Sequence, residues 1–225
     1  MLFTLLRNAG DLSFWQLLLL LFSYVVLILV MLPVHELAHA FVAYKLGDDT
    51  ARWHGRLTFN PFAHLDLLGT LMLFLCGFGY ARPVPVNPRN FQNPKRDMAL
   101  VALAGPVSNV LMAAVSLLLH RIILSVTTSV VVWVISEIVL VWTFASINLG
   151  LAVFNLLPIP PLDGSRIFGA ILPARWAFMM DRYEQYIRIG LFVALFTGVL
   201  DTPLNFLVNG LGRLLCIVFG LPNYF

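Results

Sequence analysis

The chain has 225 residues, of which 60% are hydrophobic and 11% are charged, and its mean hydropathy is +0.89. Soluble globular domains carry about 25% charged residues, so this composition excludes an ordinary soluble domain and predicts a protein that crosses a lipid bilayer several times. The formal net charge at pH 7 is +3, and no nucleic-acid partner is expected.

Six apolar runs follow one another along the chain. They cover residues 12–44, 66–80, 98–124, 130–157, 187–200 and 203–221. Because a bilayer core of about 30 Å requires roughly 20 helical residues, the first, third and fourth runs are predicted to span the membrane. The last two runs are predicted to be membrane segments over about 184–221, and the short second run is predicted to be re-entrant or interfacial.

These runs predict an all-α polytopic membrane protein, with residues 1–225 as a single membrane domain. A core of three helices covers about 15–170, accompanied by about two to three further membrane segments. The first run is too long for the core of a signal peptide, so it is expected to be retained as a helix.

The segment 51–93 is predicted to form a small interfacial β-hairpin or sheet. Side chains alternate in character over 52–59, and the prolines at 83, 85 and 88 favour extended backbone. Unpaired strand edges cannot face lipid, so this segment must pack on protein, line a polar cavity or pair with another chain. One hypothesis is that it accepts another polypeptide as an added strand.

The basic residues indicate the orientation in the membrane. Seven of the fourteen Lys and Arg residues lie within 45–96, and four more lie within 166–188. The positive-inside rule places both segments in the cytoplasm, which brings His35 and Asp163 to the cytoplasmic half of the membrane. An integral multi-pass protein of a prokaryotic cell membrane, with its active site toward the cytoplasm, is the expected setting.

His35, Glu36 and His39 form an HExxH motif inside the first apolar run. Residues four apart lie on one face of a helix, so the two imidazoles can bind one zinc ion, and Glu36 is placed to accept a proton from water beside them. Ionisable groups are costly within a membrane, which indicates a functional role. Catalytic zinc sites have three protein ligands, so a third ligand is expected elsewhere in the chain.

Asp163 is the best candidate for that third ligand. It follows the proline-rich stretch Asn155-Leu156-Leu157-Pro158-Ile159-Pro160-Pro161-Leu162, in which the prolines are predicted to end a spanning helix. Gly164 permits a sharp turn directly after the carboxylate, and broken backbone at membrane depth is typical of the wall of a polar cavity. The alternative is that Asp163 is only a turn residue at the end of a helix.

With these motifs in view, the chain resembles the site-2 protease family of intramembrane zinc metalloproteases, in a compact form without a PDZ or CBS domain. The HExxH, GxxxN and NxxPxPxLDG motifs of that family match residues 35–39, 105–109 and 155–164 in the family's order. The stretches 55–61 and 64–70 also resemble the family's linker between its first two core helices.

The resemblance implies a zinc metalloendopeptidase with one Zn²⁺ per chain. It implies His35, His39 and Asp163 as zinc ligands and Glu36 as the general base. The expected activity is hydrolysis of peptide bonds within or near transmembrane segments of membrane-protein substrates. The oligomeric state stays open.

Two asparagines are expected to support this chemistry. Asn109 and Asn155 lie on two core helices, where their amides can hydrogen-bond the substrate backbone or a developing oxyanion. Each also has a structural alternative: Asn109 as part of a small-residue packing face, and Asn155 as a partner for carbonyls freed by the prolines.

Other ionisable residues are predicted to be structural. His64 is expected to be satisfied or solvated in the linker, His120 to mark a helix end, and Glu137 to lie near a membrane interface.

Two rival functions remain. A zinc-binding or metal-transporting membrane protein would be expected to spread polar positions along a path across the membrane, whereas here they concentrate at one depth. An inactive relative acting as a membrane chaperone would not require Glu36.

Overall fold

The computed structural model describes residues 15, 18, 22, 25–69, 71 and 81–225. The described chain is mostly helical and divides into two compact units, residues 1–91 and 92–225. Each unit is described by itself.

The first unit is built around helix α1, Leu32–Lys45. A π-helical turn, Leu27–Met31, precedes it, and Pro33 follows in the first turn of α1. Proline lacks the N–H that a regular helix requires and its ring crowds the carbonyl one turn back, so a locally widened turn suits this position. The chain leaves α1 through Gly47, whose φ of +103° is rarely adopted by residues with a side chain.

The rest of the first unit consists of short elements. Helix α2 covers Thr50–Trp53, and 3₁₀ turns cover Pro61–Ala63 and Pro88–Asn90. Ala40 of α1 packs with Ala51 and Val84, which gives these elements a small apolar centre.

The strand expected over 52–59 is not present. Its first two residues belong to α2, and no β-strand occurs anywhere in the described ranges, so the hairpin is not confirmed. Side chains rather than a strand ladder hold this loop: Arg56 donates hydrogen bonds to the carbonyls of Ala63 and Arg82. The backbone N–H groups of His54 and Arg56 donate to the carbonyls of Thr50 and Ala51, so local bonds satisfy this backbone without a partner strand.

The second unit contains the long helices. The longest, α3, covers Pro94–Val126, and a continuous helical stretch then runs from residue 130 to residue 155. Within that stretch, α4 covers Val130–Ser136, a π-helical segment covers Glu137–Ala145, and α5 covers Ser146–Asn155.

Four further helices complete the second unit. They are α6 (Asp163–Ile171), α7 (Ala174–Arg182), α8 (Glu184–Thr197) and α9 (Asp201–Phe219). Helix α3 packs against α6, α5 and the π-helical segment, and α9 packs against α5. The core of this unit joins Ala113 and Leu117 of α3 to Val141, Ala145 and Leu149. Alanines at these contacts let the helices approach closely.

Three of the described helical stretches are long and apolar enough to cross a membrane: Pro94–Val126, Val130–Asn155 and Asp201–Phe219. They confirm a membrane protein and match the predicted runs 98–124, 130–157 and 203–221. The run 187–200 forms α8, whose 14 residues fall short of the roughly 20 needed to span alone. The N-terminal part of the first run and most of the run 66–80 lie outside the described residues.

Candidate active site

His35 and His39 lie on one face of α1, and both side chains are buried. Their Nε2 atoms are 3.1 Å apart, and the two rings meet edge to face with planes at 87°. Two nitrogens bound at about 2.05 Å to one tetrahedral zinc would lie about 3.3 Å apart. The pair is therefore already spaced as two ligands of a single metal ion.

Glu36 lies between these histidines in sequence and is half-buried in the structure. The negative charge of the Glu36 carboxylate interacts electrostatically with the buried guanidinium of Arg56. Burial lowers the pKa of Arg56 and the nearby positive charge of Arg82 lowers it further, whereas the Glu36 carboxylate raises it. Because an arginine keeps its charge at any working pH, Arg56 supplies a fixed positive charge in the surroundings of Glu36.

Asp163 is the first residue of α6 in the second unit and is half-buried. Helix α5 ends at Asn155, three residues before Pro158, as the prolines predict. A tight turn precedes α6: the backbone N–H of Leu162 donates to the carbonyl of Ile159, and the Ser165 hydroxyl donates to the carbonyl of Leu162 at 2.7 Å. This turn brings the carboxylate directly to the start of a helix.

Asn109 and Asn155 also belong to the second unit. Asn109 lies within α3 and is fully buried. Asn155 is the last residue of α5, and its Nδ2 donates to the carbonyl of Leu151 at 3.0 Å. One donor of Asn155 is therefore used within its own helix, by a carbonyl that the prolines do not free, while its carbonyl oxygen is not used by that bond. The catalytic support expected from both residues stays a prediction.

Asp48 is a residue whose importance the sequence did not reveal. It is fully buried and accepts hydrogen bonds from the Thr50 backbone and hydroxyl, from the Asn87 N–H at 2.8 Å and from the Asn90 amide at 2.6 Å. Burial alone raises the pKa of this carboxyl, but these hydrogen bonds outweigh burial, so the pKa lies below its ordinary value. Asp48 thereby ties the end of α1 to the segment 87–90. The only local signal was an Asp-x-Thr pattern typical of a turn.

Two histidines outside the motif have structural partners. His64 is fully buried and its Nε2 bonds the carbonyl of Thr58 at 2.9 Å, whereas its buried Nδ1 has no hydrogen-bond partner among the described residues, so the ring is only half satisfied. The prediction that His120 marks a helix end was wrong. Helix α3 continues to Val126, and the buried His120 ring bonds Ser136 and Tyr224, each at 2.9 Å. Partners distant in sequence satisfy its polar atoms, so the helix need not end there.

Comparison with known proteins decides the family. The model of peptidase family M50 matches residues 122–197, a range that includes Asn155 and Asp163 but not the HExxH motif. The protein described as "Putative zinc metalloprotease YwhC" from Bacillus subtilis (strain 168) is 42% identical over 185 residues, which are 80% of this chain and 81% of that protein. The chain belongs to peptidase family M50. This is the site-2 protease family that the three motifs indicated.

More distant M50 relatives carry the same description. Rip2 from Mycobacterium tuberculosis (strain ATCC 25618 / H37Rv) is 37% identical over 140 residues, which are 60% of this chain and 52% of Rip2. MJ0611 from Methanocaldococcus jannaschii is 32% identical over 136 residues, which are 59% of this chain and 62% of that protein. No solved structure matches the chain. Family membership and the apolar helices together describe a membrane-bound metalloprotease.

Proposed function

We propose that this M50 protein is an intramembrane zinc metalloendopeptidase that hydrolyses peptide bonds within or near transmembrane segments of membrane-protein substrates. The observation that carries the proposal is the buried pair of Nε2 atoms 3.1 Å apart on the HExxH helix. Family M50 membership supports the peptidase activity, and the spanning helices support a substrate that lies in the bilayer.

The proposed metal centre holds one Zn²⁺ per chain. His35 and His39 supply two imidazole nitrogens, and we assign the third ligand to the carboxylate of Asp163. Two imidazoles and one carboxylate form a donor set that suits catalytic zinc and leaves one coordination position for water. The 3.1 Å spacing of the histidine nitrogens, close to the separation required for chelation, supports the fit.

The residues of the chain then have defined roles. Bound zinc would polarise the scissile carbonyl and acidify a water molecule. A carboxylate oxygen of Glu36 accepts the proton of the attacking water and passes it to the nitrogen of the leaving amine. Asn109 and Asn155 orient the substrate backbone or donate a hydrogen bond to the oxyanion. The burial of both histidines limits access of bulk water to the centre.

Location follows from the same assignment. We propose an integral protein of a prokaryotic cell membrane, with the metal centre in the cytoplasmic half. The concentration of basic residues in 45–96 and 166–188 supports this orientation. The partners are then single-span or multi-span membrane proteins and the bilayer itself.

The test compares purified wild-type protein with Glu36→Ala, His39→Ala and Asp163→Ala in detergent. Zinc per chain is measured by elemental analysis, and cleavage is measured against a panel of single-span fusion proteins. The expected result is about one zinc per chain and cleavage in the wild type, zinc without cleavage in Glu36→Ala, and loss of both in the two ligand variants. Glu137→Gln, which removes a carboxylate outside the proposed site, is the matched control and should keep both.

Different failures are distinguishable. Zinc bound by the wild type without cleavage of any fusion protein would favour a zinc-binding or transport function. Unchanged zinc content in Asp163→Ala would remove Asp163 from the ligand set, and absence of zinc from the wild type would overturn the metal centre altogether.

A further inference from the structure

A cavity of about 350 Å³ lies within the second unit beside the start of α6. One wall is the proline turn at Pro160 and Pro161, and another is formed by Ser165, Arg166 and Gly169 of α6. Met180 of α7 and Glu184 of α8 close the opposite side. The lining is therefore mixed, with apolar proline and methionine surfaces alongside charged groups.

Arg166 brings a positive charge to this cavity, and no ion pair with it occurs among the side chains that the structure describes. Within the described residues it makes no hydrogen bond and no ion pair through its guanidinium. Glu184, the acidic residue of the lining, is already engaged in an ion pair with Arg188. The cavity thus presents one available guanidinium, whose planar pair of donors matches a carboxylate in a bidentate geometry.

Gly169 keeps the cavity open. A Cβ atom added there would meet no atom of the described neighbouring residues within 4 Å, so there is space beside α6 at this position. A larger side chain at 169 can enter the cavity without displacing the protein's own atoms, which makes this position a means of filling it.

The position of Arg166 relates the cavity to the proposed chemistry. Arg166 follows Asp163 by three residues on α6, so both lie on one face of the helix and about 4.5 Å apart along its axis. An extended polypeptide advances about 3.3 Å per residue. A substrate drawn out alongside Asp163 would therefore bring a residue only a few positions from its cleaved bond into reach of Arg166.

We propose that this cavity binds an aspartate or glutamate side chain of the substrate polypeptide, close to the cleaved segment, and that Arg166 is the residue that recognises the carboxylate. This inference rests on the proposed peptidase function. It makes Arg166 a determinant of substrate specificity, in addition to the metal centre.

The first test measures binding without cleavage. Fluorescein-labelled peptides rich in leucine and alanine, identical except for one Asp, Asn or Lys, are titrated with full-length Glu36→Ala protein in detergent and followed by anisotropy. The Asp peptide should bind about fivefold to tenfold more tightly than the Lys peptide, as one partly screened ion pair predicts. Adding Arg166→Glu should reverse this order, and adding Gly169→Leu should weaken binding of all three peptides.

Arg175→Glu is the matched control, because Arg175 is an exposed arginine on the neighbouring helix α7 and does not line the cavity. It should leave the order of the three peptides unchanged. The inference is overturned if Arg166→Glu and Arg175→Glu have the same effect, or if the Glu36→Ala protein shows no preference among the peptides.

The second test separates this inference from the proposed function. Fusion proteins with Asp or Lys beside the spanning segment are offered to wild-type protein and to Arg166→Glu. If wild-type protein and Arg166→Glu cleave the Asp and Lys fusions with the same ratio of rates, the peptidase function is retained and the role of Arg166 is overturned. Absence of all cleavage would contradict the peptidase function. The order of affinities of the three peptides would still show whether the cavity recognises a carboxylate. If Arg166→Glu weakens binding of phosphatidylglycerol to the detergent-solubilised protein and leaves the order of peptides unchanged, the carboxylate of a substrate is excluded as the occupant.

Discussion

Gly164 lies directly against the carbonyl of Leu157, so that a Cβ atom at position 164 would overlap the carbonyl oxygens of both Leu156 and Leu157. The start of α6 thus approaches the end of α5 backbone to backbone, with Asp163 immediately beside the contact. Only glycine permits this approach.

Gly164→Ala is therefore expected to move the start of α6 and Asp163 with it. We expect a loss of about 1–3 kcal/mol in the free energy of unfolding, as for other overpacked sites, and a lower zinc content. Thermal unfolding in detergent and elemental analysis measure the two effects. Gly169→Ala on the same helix is the control, because its added methyl meets nothing and helix propensity favours alanine by up to about 1 kcal/mol. Equal behaviour of the two variants would contradict the close approach at Gly164.

Asp48 should make the first unit sensitive to acid. Its pKa in the folded protein lies below the ordinary value of 3.8, so the charged carboxylate stabilises the fold above that value, and this stabilisation is lost as the pH falls through the lower, folded-state pKa. Asp48→Asn should lose about 1–3 kcal/mol at neutral pH, because buried donors lose a charged acceptor, and should lose less on further acidification than the wild type. Unfolding monitored between pH 7 and pH 3 checks both effects.

Asp49→Asn is the neighbouring control for that experiment. Asp49 makes only a partly exposed ion pair with Arg52 at 3.7 Å, so its loss should change stability by less than about 1 kcal/mol. Acid sensitivity that disappears equally in both variants would show that the effect does not arise at Asp48.

Arg56 joins two parts of the linker through the carbonyls of Ala63 and Arg82. Arg56→Gln should leave two partly buried carbonyl contacts without their donor and cost about 1 kcal/mol or more. Arg56→Lys keeps the charge but not the forked donors, so it should restore only part of the loss. The measurement is the rate at which an added protease cuts the linker 57–63. Arg52→Gln changes an exposed residue and should be cut at the rate of the wild type. Unaltered proteolysis in Arg56→Gln would contradict this role.

The contact between His120 and Tyr224 should couple α3 to the segment after α9. The Tyr224 hydroxyl and the His120 Nε2 are 2.9 Å apart, and the other ring nitrogen bonds Ser136. In a double-mutant cycle with His120→Phe and Tyr224→Phe, we expect a coupling of about 0.5–1.5 kcal/mol in the free energy of unfolding. Tyr186→Phe removes the hydroxyl of an exposed tyrosine and should leave the free energy of unfolding unchanged. Additive effects in the cycle would show that the two residues do not interact.

Much of the site was predictable because its signals are local. Residues four apart face the same side of any helix, so the pairing of His35 and His39 followed from their spacing once the run was assigned as helical. The end of α5 at Asn155 followed from the three prolines within 158–161, which remove backbone donors and disfavour helical geometry in the residue before each. The order of the three motifs likewise predicted the M50 family from the sequence alone.

The expectations that failed depended on contacts between distant residues. An apparent strand at 52–59 gave way to a helix end and a loop, in which the Arg56 side chain bonds the carbonyl of Arg82, 26 residues away. His120 looked like a helix end because Arg121 follows it, yet partners 16 and 104 residues away satisfy its ring within a continuing helix. The burial of Asp48 depends in the same way on Asn87 and Asn90.

The sequence by itself thus determined the membrane class, the helical spacing of the HExxH histidines, the proline stop before Asp163 and the family, since each depends on composition or on neighbours within a turn or two of the chain. Only the tertiary structure decided which polar residues are buried and by what they are satisfied, and which glycine is a backbone contact. It also decided that Arg166, which makes no ion pair within the described part of the chain, lines a cavity beside the start of α6. Those properties depend on the meeting of segments far apart in sequence, which side-chain periodicity does not encode.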